Sequence, residues 1–206
     1  MARQDNLLDF ATSLDPFQVE MLKGKQSISE TKYDTINLAA AAVVRTDFFQ
    51  TPSADLAIKN FEGPGILVTS GKLFLVQTIG VVIASIAAAA TAQNLMDLIM
   101  LCSLRITNDQ KIMGTFPLHQ LTGFGGAYLP SQVAVTPAAA PAGAVSNFGV
   151  TNGMPHNQPF RVRPMLVEGQ KPFTVSLIAP TGTAITLAGI VGLKVCLGGL
   201  QFQSIQ

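Results

Sequence analysis

Apolar and polar positions follow different periods in different stretches of the chain. Between Ala2 and Lys25, the residues Leu7, Leu8, Phe10, Leu14, Phe17 and Met21 recur at roughly helical spacing. Asp15 stands as N-cap, Pro16 at the first helical position and Gly24 as stop, which predicts two short helices. Residues 25–63 are mostly polar, with short apolar stretches at Ile36–Val44 and Thr46–Phe49, and their pattern defines no register. From Ile66 the composition turns strand-like: ILVTS, a turn at Gly71-Lys72, then LFLVQTIGVVIAS, rich in β-branched residues.

Ala87–Ala90 followed by NLMDLIML reads as a short helix, and SLRITNDQKIMGTF as a hairpin turning near Asn108-Asp109. The last third holds FRVRPMLVE, a turn at Glu168-Gly169-Gln170, KPFTVSLIA, a turn at Pro180–Thr183, and AITLAGIVGLKVCLGGLQFQSIQ. Alternation puts Phe160 and Val162 on one face and Arg161 and Arg163 on the other, while Phe173, Val175 and Leu177 share a face. Short strands separated by turns every 8–12 residues predict a mainly β fold, a jelly roll or β-sandwich, with one short internal helix. The expected layout is an N-terminal helical arm at 1–24 and a single β domain at 25–206.

Between Gly123 and Pro159 the chain is dominated by Gly, Pro, Ala, Ser and Asn, which support neither a long helix nor a central strand. The whole stretch from Ile112 to Phe160 has no Asp, Glu, Lys or Arg. A free linker is usually more polar, so the expectation is a loop draped over a neighbour or its own domain through residues such as Val133, Val135 and Phe148. A flexible Pro/Ala-rich linker is the alternative. The arm likewise has three readings: packing on its own domain, gripping a neighbouring subunit, or lying on a membrane. Leu7, Phe10, Leu14, Phe17 and Met21 would make the contacts.

Composition narrows the function classes. Only 12% of the residues are charged, about half the quarter usual in soluble domains, which suggests a surface that meets other subunits or lipid. Residues 73–96 carry no charge and are long enough to span a bilayer as a helix. Gln77, Thr78, Gly80 and Ser85 interrupt them and favour a strand followed by a helix. A net charge of +1 with no basic cluster gives no nucleic-acid footprint. Cys102 and Cys196 sit in apolar runs, as core residues do, and no basic-then-apolar signal peptide opens the chain.

No catalytic, cofactor or metal site is expected. His119 and His156 have no nearby ligand partners. Gly71-Lys72 lacks the spacing of a phosphate loop, and Gly123, Gly125 and Gly126 lack the context of a dinucleotide fingerprint. Asp109 and Glu168, the two carboxylates of the second half, fall at predicted turns. Arg161 and Arg163, with Lys171 near, read as a solvated face able to meet an acidic neighbour or a phosphate.

A helical arm, many short apolar strands, long uncharged loops and the ending FRVRPMLVEGQKPFTVSL…VGLKVCLGGLQFQSIQ together resemble the jelly-roll capsid proteins of icosahedral, often membrane-containing, viruses of bacteria and archaea. The resemblance is one of layout. It implies an eight-stranded double-sheet subunit of a shell, made in the host cytoplasm and resident in the virion. Its partners would be copies of itself, other capsid proteins and an internal lipid membrane, with no sequence-specific nucleic acid and no cofactor. Arg3 is the one basic residue before Lys23, unlike capsid families with Arg-rich tails. Alternatives are a viral spike, decoration or carbohydrate-binding module, a membrane-anchored structural protein and, last, an enzyme.

Overall fold

The computed structural model describes residues 16–87, 92–121, 160–181 and 185–204. In chain order they form α1 (Pro16–Leu22), β1 (Lys25–Leu38), β2 (Ala42–Val43), β3 (Arg45–Phe48), β4 (Leu73–Ile86), α2 (Ala92–Leu101), β5 (Ser103–Asn108), β6 (Lys111–Pro117), α3 (Leu118–Leu121), β7 (Phe160–Glu168), β8 (Phe173–Ile178), β9 (Ile185–Thr186) and β10 (Val191–Ser204).

Apart from the two-residue strands β2 and β9, which pair with each other, the strands pair first with last. β1 lies against β10, β3 against β8, β4 against β7 and β5 against β6, all antiparallel. This is the pairing of one long antiparallel ribbon wrapped around a core. Lateral pairs β10–β4 and β8–β5 then close two four-stranded sheets, β1-β10-β4-β7 and β3-β8-β5-β6. The wiring is that of a double-sheet jelly roll.

Between the sheets lies one continuous core. Phe74, Val76, Ile79 and Val81 of β4 and Leu193, Val195 and Leu197 of β10 meet Leu104 and Ile106 of β5 and Phe173, Val175 and Leu177 of β8. Burying each such side chain is worth about 1.5–3 kcal/mol before conformational entropy is subtracted. The inward residues of β4 change parity because Gln77 is bulged: the ladder to β10 passes from Val76 directly to Thr78. Opposite the bulge, a Cβ on Gly199 would lie 2.0 Å from the Leu75 carbonyl oxygen, so only glycine lets the two backbones approach.

The outer face of the first sheet carries a second apolar cluster, Leu73, Leu75, Leu166 and Phe202, covered by Val19, Met21 and Leu22 of α1. The first half of β4 is therefore apolar on both sides, which accounts for the uncharged run from Leu73. That run is a central strand as far as Ile86, and no helix among the described residues is long and apolar enough to cross a membrane. The helix of the arm starts at Pro16 and is followed by Gly24 at φ +70°, as the stop signal predicts. The first predicted helix lies outside the described residues.

The β5–β6 hairpin, the β7–β8 turn and the facing of Phe160, Val162, Arg161 and Arg163 agree with the sequence pattern. Three features correct it. The polar stretch 25–38 is one fourteen-residue strand. ILVTS forms no strand: Ile66 makes isolated bridges to Gly63 and Pro172, and Leu67 and Val68 are buried where the chain bends. A second internal helix, α3, follows β6 and inserts Leu118 and Leu121 into the core.

Candidate functional site

The wrapped topology sorts connections between the two ends of the sandwich. One end holds the β3–β4 loop and the tight β5–β6 and β7–β8 turns. The other, the loop end, receives the connections β1–β3, β4–β5, β6–β7 and β8–β10, with α2, α3 and the β2–β9 pair. Among the described residues of those connections, 39–44, 87, 92–102, 118–121, 179–181 and 185–190, one side chain is charged, Asp97, with Arg45 and Arg161 at the adjoining strand ends. The β3–β4 loop alone has four: Asp55, Lys59, Glu62 and Lys72. The described connections of the loop end are thus poorer in charge than the β3–β4 loop.

α2 shows what the loop end presents. Leu95, Leu98 and Ile99 are buried on the core side, as helical spacing requires. The opposite side also carries apolar residues, with Met96 44%, Met100 58% and Leu101 45% exposed, beside the half-buried Asp97. The helix is fixed in place by Asn94, whose Nδ2 donates to the Thr186 carbonyl at 2.9 Å and whose Oδ1 accepts from the Ala188 amide at 3.1 Å. Val44 and Ile190 are also exposed at this end, carried by segments tied into it through bonds from the Ala179 amide to the Val44 carbonyl and from the Ala87 amide to the Ile190 carbonyl. Exposed apolar side chains on a helix whose other side is already buried leave surface for a further contact. In the single chain α2 is buried on one side.

Of the residues expected to make assembly contacts, Leu7, Phe10, Leu14, Val133, Val135 and Phe148 lie outside the described residues. Phe17 is exposed on α1, and Met21 is half-buried against the chain's own first sheet. The described part of the arm thus packs on its own domain. Val44, Met96, Met100, Leu101 and Ile190 were not singled out by the sequence pattern, although NLMDLIML, apolar on both helical faces, carried the signal.

The polar groups form structural pairs. Asp47 on β3 accepts from Arg45 Nε at 2.9 Å and from the Ser176 hydroxyl at 2.6 Å. Burial pushes its carboxyl upward, and the hydrogen bonds from Arg45 and Ser176 together with the Arg45 charge more than reverse this, leaving it below its ordinary 3.8. Asp109 sits in the β5–β6 turn, 3.2 Å from Lys171 Nζ, and Glu168 ends β7, as their turn assignments predict. Arg161 and Arg163 are exposed on β7. Cys102 and Cys196 are free and buried; burial raises the Cys102 thiol to about 11 and, against the Lys194 charge, raises Cys196 as well. His119 is exposed on α3, and His156 lies outside the described residues. No group of three or more His, Cys, Asp or Glu that could hold a metal occurs among the described residues.

No protein-family model matches the sequence, and no curated protein matches it.

Proposed function

We propose that this protein is a structural subunit of a viral capsid, a shell-forming coat protein that associates with copies of itself through the loop end of its jelly roll. The observation that carries the reading is α2, whose Met96, Met100 and Leu101 stand exposed at an end of the molecule where the described connecting segments carry one charge, Asp97. Several exposed apolar side chains gathered on one helix mark a place for association, since a solitary soluble domain keeps such surface small. A jelly roll is a stable wedge whose loops can meet around a symmetry axis without altering the sheets.

Other copies fit this surface better than lipid does. Helices that lie on bilayers carry Lys and Arg on the polar side and Trp or Tyr at the boundary. α2 has neither, and its one charge is the acidic Asp97. A carbohydrate-binding module, another use of this fold, would need an exposed aromatic platform. The chain has no Trp, and Tyr33, the one tyrosine among the described residues, is engaged by Lys194 Nζ, 4.1 Å from its ring centre, and by the Leu56 carbonyl. Negative-stain microscopy of the purified chain tests the proposal: closed shells or rings of subunits are expected, and dispersed monomers at high concentration would contradict it.

A further inference from the structure

β1 is an edge strand, and its free edge is treated differently along its length. The Tyr33 carbonyl accepts from the Asn60 amide at 2.8 Å and the Thr31 carbonyl from Asn60 Nδ2 at 3.0 Å, so the backbone groups of the odd-numbered residues point away from β10. Residues 50–60 lie over this part of the edge. Phe49 and Phe61, the residues flanking the segment, meet edge to face with ring centres 5.4 Å apart, so it is a loop closed at its base.

The body is held by charge. Asp34 points inward from β1 with no exposure. Its Oδ2 accepts from the Phe49 amide at 2.5 Å, and its Oδ1 lies 3.2 Å from Lys59 Nζ, which also donates to the Thr51 carbonyl. Lys194 Nζ donates to the Ala57 carbonyl from the outer face. Without Lys59, Asp34 would be a buried carboxylate with no compensating cation, which only the entry of water could relieve.

We propose that residues 50–60 guard the free edge of β1, that the Asp34–Lys59 ion pair locks the guard in place, and that the edge it withholds pairs with β1 of a second copy of this chain. Long unprotected edges recruit strands, and covering them is how monomers avoid it. The edge of β1 is self-complementary. An antiparallel two-fold pairing centred on Ser29 sets Ser27 opposite Thr31, Lys25 opposite Tyr33 and Ile28 opposite Glu30, with no like charges facing. The guard reaches Thr31 and Tyr33 and stops that pairing.

The test is hydrogen exchange and sedimentation velocity on the full chain with Lys59→Met, beside Lys72→Met as an equal change of charge outside the lock. Lys59→Met is expected to speed exchange of the Asn60 amide at least tenfold, leave β4 and β5 amides protected, and produce an added self-association. Ser29→Pro in the same chain should abolish that association, because proline removes an outward N–H at the centre of the pairing and spares the ladder to β10. Unchanged exchange at Asn60, association that survives Ser29→Pro, or loss of protection throughout β4 and β5 would each overturn the proposal.

Discussion

Ser176 on β8 donates its hydroxyl to the carboxylate of Asp47 on the neighbouring strand β3, 2.6 Å away, and Arg45 closes the group from the same strand. Because the folded state holds the Asp47 carboxyl below its ordinary value, the unfolded chain binds the proton more tightly. The stabilisation is therefore complete above about pH 5 and lost as pH falls through 3.8 toward the lowered value. Asp47→Asn is expected to cost a small amount of stability at pH 7, kept small by solvent screening of the half-exposed pair, and to lose that deficit between pH 5 and 3, which flattens the pH dependence in urea titrations.

The β5–β6 turn is closed by two residues with positive φ, Asp109 at 47° and Gln110 at 65°. That is the backbone of a two-residue hairpin turn with the favoured twist, normally supplied by Asn-Gly. A glutamine in this conformation costs about 1 kcal/mol. Gln110→Gly should raise the urea midpoint by an amount worth ~0.5–1 kcal/mol, since glycine relieves the strain and gives part of it back as chain entropy.

Glycine at positions 169 and 199 has a different role. A Cβ on Gly169 would lie 2.1 Å from the Thr69 carbonyl oxygen, as one on Gly199 would from that of Leu75 at 2.0 Å. Neither oxygen can move without breaking a backbone contact. Gly169→Ala and Gly199→Ala are each expected to destabilise by about 2–3 kcal/mol, read as a loss of urea midpoint.

The buried thiols give a chemical readout of the core. With its pKa raised to about 11, Cys102 is un-ionised and enclosed. Its contribution to stability is complete below pH 9 and is lost as pH rises toward 11. A thiol reagent at pH 8 should label neither Cys102 nor Cys196 in the native protein and both after unfolding; rapid native labelling would refute this packing.

Much of the sandwich is legible in the sequence because alternation survives wherever one face meets the core and the other meets water, as in Phe160–Arg163. β1 is not legible. Part of its free edge is covered by a polar loop, and its inward Lys32 is compensated by Glu30 of the same strand and its inward Asp34 by Lys59 of that loop, so a buried face reads as a polar one. β4 hides its period for the opposite reason, since α1 and the core bury both faces and Gln77 shifts the parity midway. The candidate surface was half visible: low charge is a property of composition, but the placing of α2 beside Val44 and Ile190 follows from the roll, which brings described segments far apart in sequence to one end.

The most direct test of assembly through the loop end is sedimentation velocity of the wild-type chain against the Met96→Lys/Met100→Lys double variant. Both side chains face solvent, so the fold should tolerate the change, with the unfolding midpoint close to wild type. The account predicts concentration-dependent oligomers for the wild type and a monomer for the variant. Oligomers of unchanged size and affinity in a folded variant would contradict it.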